Sequence, residues 1–512
     1  MASLVVELVL PSSVEAQWGV VERELTPLID GSAGAHELDA ALSALAAAKR
    51  DPDAPRVPEC AFFKTIPGSS EDPGTFDWVR FFARGLPFMA RVALDMPRLF
   101  ADTALPVWKM RSSWEMASGA GELGTQTLTL SRTQCACLLA HSFFGSLRRP
   151  ASVQPNDFRF TAVDLFVGTA ASPNSAMTFL NYFSVASGGM PGGDVTYERV
   201  GYRRGGAAPW SWTKSTRPLC KAKLVDGTIN ECRADVHSEF ANAYVGGGVL
   251  SGDAAMEETL FLVKPELMVA MALNGRMVDR EVIAVSGAIQ YSCTDGFGQS
   301  FTFAGDYGTR GRRAGPPPRV VAIDAIRGGG PAMTKRAMLR DMNKARIAFH
   351  GAREVATGHW GCGAYGNNHN LMFVKQWLAA SDAGASCMYY HDFSRKQSHH
   401  IAPLIRKLKH LTVGEAWRFL LDLSSDLVPC QMGKFYTKIC AIATGKLVVP
   451  GAAAASAAKK EKHAAAAAKK KKLKKKHKKS ATLTARQRAA SSETLAVAVA
   501  LPPTPTAPPT LV

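Results

Sequence analysis

Residues 245–258 read VGGGVLSGDAAMEE, and this stretch decides how the chain is interpreted. The glycines from Gly246 to Gly248 permit positive φ angles and let bare backbone approach another group closely. After a short spacer, the adjacent carboxylates Glu257 and Glu258 open a segment with an apolar, helix-like pattern. A backbone cradle beside a helix start predicts an anion or phosphate site. The neighbouring carboxylates suggest acid–base chemistry on the molecule that carries the phosphate.

The composition is typical of a globular protein of more than one domain. The chain has 512 residues, of which 46% are hydrophobic, so it is long enough to bury a sizeable core. Its ten cysteines form no C-x-x-C pair, and we therefore expect free thiols, a reducing compartment and no structural zinc site. No signal peptide and no run of about 20 apolar residues is visible, so we expect a soluble intracellular protein without membrane contact.

The net charge of +18 is concentrated near the C-terminus. Residues 450–512 hold fourteen Lys and Arg against Glu461 and Glu493, which leaves the rest of the chain only mildly basic. This segment is rich in Ala, Lys, Thr and Pro and lacks aromatic residues, so we expect it to be disordered. Lysine runs of this kind are typical of nuclear localisation signals or nucleic-acid patches, although a merely solvated charged tail has the same composition.

The spacing of apolar residues divides the remainder of the chain into a helical region and an α/β region. From about residue 75 to 145 the apolar spacing is helical, and a helix is expected over 131–147 with Ser131 as its N-cap. Beyond residue 150, short β-rich runs alternate with glycine-rich loops and helices, which indicates an α/β domain. The runs are 162–166, 177–183, 281–285 and 320–323, and later helices are expected over 370–380 and 412–423.

The motifs resemble those of the poly(ADP-ribose) glycohydrolases. In that family three glycines are followed by seven residues and Gln-Glu-Glu, and here Met256 stands at the Gln position. Residues 239–242, EFAN, resemble the family sequence Asp-Phe-Ala-Asn, with Glu239 in place of Asp. Residues 356–366, ATGHWGCGAYG, resemble the second family signature, with His359 in place of Asn. The motifs follow the family order, and the resemblance covers roughly residues 60–430.

This resemblance implies a macrodomain-like fold, in which helices flank a mixed β-sheet, together with an N-terminal helical accessory domain. We therefore expect a variable N-terminal segment over 1–58, the helical accessory domain over 59–149 and the catalytic domain over 150–445. The disordered Lys/Ala- and Pro-rich tail is expected over 446–512.

The resemblance also implies hydrolysis of the ribose–ribose O-glycosidic bond of poly(ADP-ribose), with release of ADP-ribose and without a metal or cofactor. It carries the general acid/base role onto Glu258. Neighbouring residues on a helix point about 100° apart, so Glu257 is assigned to holding ribose hydroxyls and Glu239 to a supporting role. In an arbitrary protein the two adjacent glutamates would instead form a solvated first helical turn.

The substrate-binding residues implied by the resemblance lie in two glycine-rich loops and around an adenine site. They are Ile229, Asn230, Asn242, Gly246, Gly247, Gly248, Met256, Phe297, His359, Trp360, Gly361, Cys362, Gly363, Ala364 and Tyr365. Both loops are expected to lie against the diphosphate.

For some of these residues, packing in the core or another structural role is the alternative to binding the ligand. Ile229 and Asn230 are expected at the adenine end and Asn242 at a ribose. Phe297 would stack on the adenine, but a core phenylalanine is the alternative. Tyr365 would pack beside the terminal ribose or in the core. His359 would bind a phosphate or be structural.

Met256 cannot form the hydrogen bonds of the family Gln amide, and Glu239 is one methylene longer than Asp. The competing hypothesis is therefore a non-hydrolytic ADP-ribose or poly(ADP-ribose) binding module. A metal-dependent hydrolase would need a cluster of Asp and Glu ligands, which the sequence does not contain. The expected partners are poly(ADP-ribose) on modified proteins and, through the basic tail, a nuclear import receptor or nucleic acid. We expect a monomer in nucleus and cytoplasm that acts in the DNA damage response.

Overall fold

The structure is a computed structural model. It describes residues 6–48, 76–108, 123–154, 158–162, 165, 173–202, 208, 210–310, 316–328, 334–392, 399–425, 437–439, 441–442, 444 and 446–447. The predicted tail beyond residue 447 and most of the β-rich run at 162–166 lie outside these residues.

Helices dominate the N-terminal half. They are α1 (Glu15–Leu25), α2 (Ala35–Ala47), α3 (Trp78–Arg80), α4 (Leu86–Leu94), α5 (Met96–Leu99), α6 (Arg132–Phe143) and α7 (Pro173–Ala186). Helix α6 begins where the sequence predicts, because Ser131 and Gln134 form a reciprocal capping box.

The described strands form an eight-stranded mixed sheet and two small antiparallel pairs. In spatial order the sheet contains β3 (Gly124–Ser131), β4 (Asp194–Gly201), β7 (Glu281–Ser286), β10 (Arg319–Ala322), β6 (Val236–Glu239), β11 (Glu354–Thr357), β12 (Cys387–His391) and β5 (Lys221–Val225). Strands β10, β6, β11, β12 and β5 are parallel, whereas β7, β4 and β3 pair antiparallel. The small pairs join β1 (Val6–Glu7) to β2 (Pro106–Val107) and β8 (Ser292–Asp295) to β9 (Thr302–Asp306).

The parallel strands define the functional end of the sheet. Their carboxyl ends meet at one edge, which is where open α/β sheets bind ligands. The helices of this half are α8 (Met256–Val263), α9 (Val269–Leu273), α10 (Lys335–Ala348), α11 (His369–Ala383), α12 (Ile401–Leu408) and α13 (Val413–Ser425). Strands β7 and β10 and helices α11 and α13 confirm the sequence predictions for these segments.

Two predicted segments have a different structure. Residues 177–183 were expected to be extended but lie inside α7, most of whose residues are buried. A helix that is buried on all sides shows no apolar stripe, so its aromatic run resembles a buried strand. Conversely, β3 lies within a stretch expected to be helical. Its Thr125, Thr127 and Thr129 alternate along the strand, where β-branched residues pack well.

One apolar core connects the helices to the sheet. Side chains of α1 and α2, such as Leu25 and Leu42, belong to the same cluster as Leu138 on α6, Phe179 on α7 and Ile283 on β7. The N-terminal helices are therefore packed into the fold. None of the helices in the described part of the chain has the length and apolar character needed to cross a membrane.

Candidate active site

Three glutamates converge at the end of the central strand β6. Glu239 is the last residue of β6, and Glu257 and Glu258 lie in the first turn of α8. Glu239 is 2% exposed and Glu258 8% exposed, while Glu257 is half-buried. The burial of Glu258 is incompatible with a merely solvated helical turn.

The glycine loop holds two of these carboxylates. Gly246 N–H donates to Glu257 Oε1 (2.7 Å), and Gly248 N–H donates to Glu258 Oε1 (2.9 Å). The N–H of Asn242 donates to Glu257 Oε2 (3.2 Å). The amides of Gly246 and Gly248, which were expected to face a ligand, donate to the catalytic candidates instead.

Glycine is required at the centre of this loop. Gly246 has φ +90° and Gly247 has φ +53°, which is the left-handed region that favours glycine. A Cβ on Gly247 would lie 2.1 Å from Glu258 Oε1, and one on Gly246 would lie 2.5 Å from the sulfur of Met271. The close approach inferred from the triple glycine is made to the protein's own carboxylate.

Burial and mutual repulsion favour the neutral form of two of these groups. Burial, together with the charge of Glu258, raises the pKa of Glu257 to about 8, although the backbone amides of Asn242, Gly246 and Gly247 oppose the shift. Burial and the charges of Glu257 and Glu258 raise the pKa of Glu239 well above its usual value. Among the described residues, neither carboxyl oxygen of Glu239 and not Oε2 of Glu258 has a hydrogen-bond partner. These oxygens are buried polar atoms without a protein partner in the described part of the chain.

A cavity of ≈ 590 Å³ is lined by Glu239 and Glu257, whereas Glu258 is not among its lining residues. It brings together six of the predicted site residues, namely Ile229, Asn230, Glu239, Met256, Glu257 and Phe297. Phe297 is 48% exposed, which excludes the alternative of a core phenylalanine, and Met256 is 41% exposed. The cavity therefore combines apolar surface with acidic groups.

Several cavity residues were not predicted as site residues. Ser238 precedes Glu239 on β6, and its buried Oγ has no partner in the described part of the chain. Gln290 lies beside Asn230 and hydrogen-bonds to it. Gln290 is not among the predicted site residues, because nothing in the sequence indicates that it meets a residue sixty positions earlier.

Asn242 shapes the glycine loop. Its Oδ1 accepts a hydrogen bond from the N–H of Tyr244 (2.5 Å), as in an Asx turn. The Asn242 side chain was expected to contact ribose, but its oxygen stabilises the turn that leads into Gly246.

The second glycine-rich loop follows β11 and is anchored in the core. Trp360 is fully buried, and its indole N–H donates to the carbonyl of Ile323 (2.9 Å). Asn367 Nδ2 donates to the carbonyls of Gly361 (3.0 Å) and Ile326 (2.7 Å). Trp360 can therefore meet a ligand only through its backbone.

The glycines of this loop are not equivalent. Gly361 has φ +66°, and a Cβ there would lie 2.6 Å from the side chain of Ala325. A Cβ on Gly363 would meet nothing within 4 Å, and Gly363 and Ala364 are exposed. Glycine is thus needed for packing at the first position, whereas the second borders open space.

The remaining residues of this loop contact the protein rather than open space. His359 Nε2 lies 3.1 Å from Asp392 Oδ1, which gives this histidine a structural partner. Burial raises the pKa of the Cys362 thiol to about 12, so this cysteine stays protonated. Tyr365 is half-buried, and the guanidinium of Arg327 lies 5.1 Å from its ring centre.

A buried network of ion pairs supports the second glycine-rich loop. Asp324 pairs with Lys344 and Arg340, and Asp341 pairs with Arg340 and Lys375 (2.9 Å). Asp341 Oδ1 also accepts from the N–H of Ile326 (3.3 Å). The sequence did not reveal this network, since its members are spread over three segments. Among the described residues, no group of three His, Cys, Asp or Glu side chains could hold a metal ion.

Comparisons with known proteins agree with this arrangement. The family model for the helical domain of poly(ADP-ribose) glycohydrolase matches residues 76–199, and the model for its macrodomain-fold part matches residues 210–400. A probable poly(ADP-ribose) glycohydrolase 2 of Arabidopsis thaliana is 28% identical over 427 residues, covering 68% of this chain and 78% of the relative. Poly(ADP-ribose) glycohydrolase 1 of Arabidopsis thaliana is 26% identical over 464 residues, covering 71% of this chain and 82% of the relative.

A solved structure shows a weaker likeness. The crystal structure of poly(ADP-ribose) glycohydrolase from Deinococcus radiodurans in complex with ADP-ribose is 17% identical and covers 40% of this chain and 86% of that chain. The TM-score is 0.25, which is too low to add support. The two family domains nevertheless match in order over more than half of the chain, and the chain therefore belongs to the poly(ADP-ribose) glycohydrolase family.

Proposed function

We propose that this protein hydrolyses the ribose–ribose O-glycosidic bonds of poly(ADP-ribose) and releases ADP-ribose, with Glu258 as the general acid/base. The observation that carries the proposal is the state of the Glu258 carboxyl. It is buried, one oxygen is held by Gly248, and the other has no partner in the described part of the chain.

Such a carboxyl suits both halves of the reaction. Glu258 gives a proton through Oε2 to the leaving ribose hydroxyl as an oxocarbenium-like transition state forms. The resulting carboxylate then removes a proton from the water that attacks the anomeric carbon. Gly248 keeps the other oxygen in place, so the reacting oxygen is presented in one orientation.

The two neighbouring glutamates support this step. Glu257 lines the cavity next to Glu258 and is assigned to the ribose hydroxyls. Glu239 has a carboxyl without a partner among the described residues, and its raised pKa favours the neutral acid, which both donates and accepts hydrogen bonds. The cavity beyond them, with Phe297 at its rim, is assigned to the adenosine end of the ADP-ribose unit.

The test is release of ADP-ribose from automodified polymer by the purified protein with a chelator present. We expect the wild type to release ADP-ribose and Glu258→Gln to lose at least about 10²–10⁴-fold in rate, the usual contribution of an acid/base. Calorimetry should show that the variant still binds ADP-ribose. Glu15→Gln, at an exposed position of α1, is the matched control and should behave as wild type.

Two results would contradict the proposal. Binding of ADP-ribose without release by the wild type would favour the non-hydrolytic binding module. Equal loss of binding and hydrolysis in Glu258→Gln would make this residue structural rather than catalytic.

We further propose that the basic segment 446–512 directs the protein to the nucleus and that the protein acts there, as a monomer, in the DNA damage response. The support is the lysine-rich composition of this segment, which also suits an import receptor or nucleic acid. A tagged protein lacking residues 448–512 should leave the nucleus while its turnover of polymer stays unchanged. Retention of the nuclear signal would refute this assignment.

A further inference from the structure

A chain of amide hydrogen bonds runs along one wall of the cavity. Asn230 Nδ2 donates to Gln290 Oε1 (2.5 Å), and Gln290 Nε2 donates to the backbone carbonyl of Ser292 (2.9 Å). Asn230 and Gln290 both line the cavity. Ser292 is fully buried on β8, and its hydroxyl bonds to Asn181 (3.1 Å) and to the carbonyl of Thr178 (3.3 Å), both on α7. The chain of hydrogen bonds therefore ends on a fixed point of the fold.

The backbone carbonyl determines the polarity of this chain. An amide side chain can usually exchange its oxygen and nitrogen by rotating through 180°, and its orientation follows from its partners. The carbonyl of Ser292 can only accept, so Gln290 must direct its NH₂ group towards it. The Gln290 oxygen then faces Asn230, and Asn230 must direct its own NH₂ group towards Gln290. At the end of the chain Asn230 keeps its oxygen, which is an acceptor, on the side away from Gln290, and the second N–H of its NH₂ group stays next to Gln290.

An acceptor at this place distinguishes two kinds of purine. A 6-amino purine such as adenine carries an N–H donor on its exocyclic group, whereas hypoxanthine and guanine carry a carbonyl oxygen there. The acceptor would bond to the first and repel the second. The exposed ring of Phe297 on the same cavity can stack on either base, so stacking alone does not separate them.

We propose that Gln290 is a specificity-determining residue that locks Asn230 with its oxygen towards the cavity, so that the site accepts a 6-amino purine and rejects a 6-oxo purine. This inference rests on the proposed function, because it takes the cavity as the site of the ADP-ribose base. Gln290 acts through Asn230 and is therefore a positioning residue. Without it, the Asn230 amide could rotate and offer its NH₂ group to the oxygen of a 6-oxo purine.

The test measures selectivity instead of activity. The probes are ADP-ribose and inosine diphosphate ribose, which differ only in the 6-substituent and the adjacent ring proton, and calorimetry gives Kd for each. We expect the wild type to bind ADP-ribose at least about tenfold more tightly, since a site with a misdirected polar group rejects the wrong analogue. Gln290→Leu should bring the two Kd values to within about threefold, mainly through tighter binding of the inosine probe.

A control variant keeps the result interpretable. Thr294→Val changes another cavity residue outside the amide chain and should keep the wild-type preference. A loss of affinity for both probes by the same factor in Gln290→Leu would indicate a merely structural role and would overturn the inference.

The affinities of the wild type for the two probes distinguish a failure of this inference from a failure of the proposed function. Binding of both probes with equal affinity would overturn the role of Gln290 and leave the ADP-ribose site intact. Binding of neither probe would overturn the assignment of the cavity together with the inference. An unchanged preference in Gln290→Leu would also overturn it, because another group would then be reading the base.

Discussion

The glutamate cluster at the end of β6 and the charge network below the second glycine loop bury similar carboxyl groups in different surroundings. In the network, Asp324 and Asp341 each contact two cationic side chains. In the cluster, Glu257 and Glu258 accept only backbone N–H groups, and among the described residues no lysine or arginine pairs with any of the three glutamates. Burial is common to both regions, and the presence of cations is what differs.

The pKa shifts follow this difference. Burial alone would raise the pKa of Asp324, but the charges of Lys344 and Arg340 outweigh it and hold the pKa below its usual value. Burial raises the pKa of Glu239 and Glu257, and neighbouring carboxylates raise it further. Asp324 therefore keeps its charge, whereas Glu239 and Glu257 have protons available for transfer.

The largest expected effect comes from breaking the paired network. Asp341→Asn leaves Lys375 buried without its carboxylate, and removal of one partner of a buried ion pair costs about 3–5 kcal/mol. We expect the free energy of unfolding, measured by denaturant titration, to fall by this amount. Asp102→Asn, at an exposed position, is the control and should change little. A loss below about 1 kcal/mol would show that the network does not support the loop as described.

The second effect comes from displacing the cluster without changing its charge. Gly247→Ala places a methyl group 2.1 Å from Glu258 Oε1 at a positive φ, so the carboxylate must move. A displacement of about 1 Å at the reacting group lowers turnover by about 10²-fold. Gly19→Ala, on α1, is the matched control, because its methyl group meets nothing within 4 Å. Equal turnover of the two variants would contradict the close contact between the loop and Glu258.

The smallest expected effect is on the pH dependence of thermal stability, and it tests whether Glu257 in the cluster is neutral. The pKa of Glu257 is raised to about 8 in the fold from 4.5, so its contribution to stability is complete below about pH 4.5 and is lost as the pH rises through 8. Glu257→Gln cannot ionise, and its Tm relative to wild type should therefore rise between pH 4.5 and 8 and then level off. Thermal unfolding at several pH values provides the measurement. A constant difference in Tm over this range would mean that Glu257 is not held neutral.

Local patterns in the sequence predicted the parts of the site that lie close together along the chain. The spacing of Gly246 to Glu258 predicted a glycine loop in front of a helix that begins with glutamates, and the structure has this arrangement. The capping box at Ser131 and the helices α11 and α13 were also predictable. The extended reading of 177–183 was wrong, because burial of α7 on all sides removes the periodicity that identifies a helix.

By itself, the sequence determined the family and the α/β character of the fold, because short motifs and periodicity encode local geometry, and it predicted which residues carry the acid–base chemistry. Only the tertiary structure decided which groups meet across long separations. It paired Asn230 with Gln290 and His359 with Asp392, and it surrounded Asp341 with cations while leaving Glu239 without one. These contacts depend on strand order and helix packing, and they determine which buried carboxyl groups keep their charge and which hold a proton.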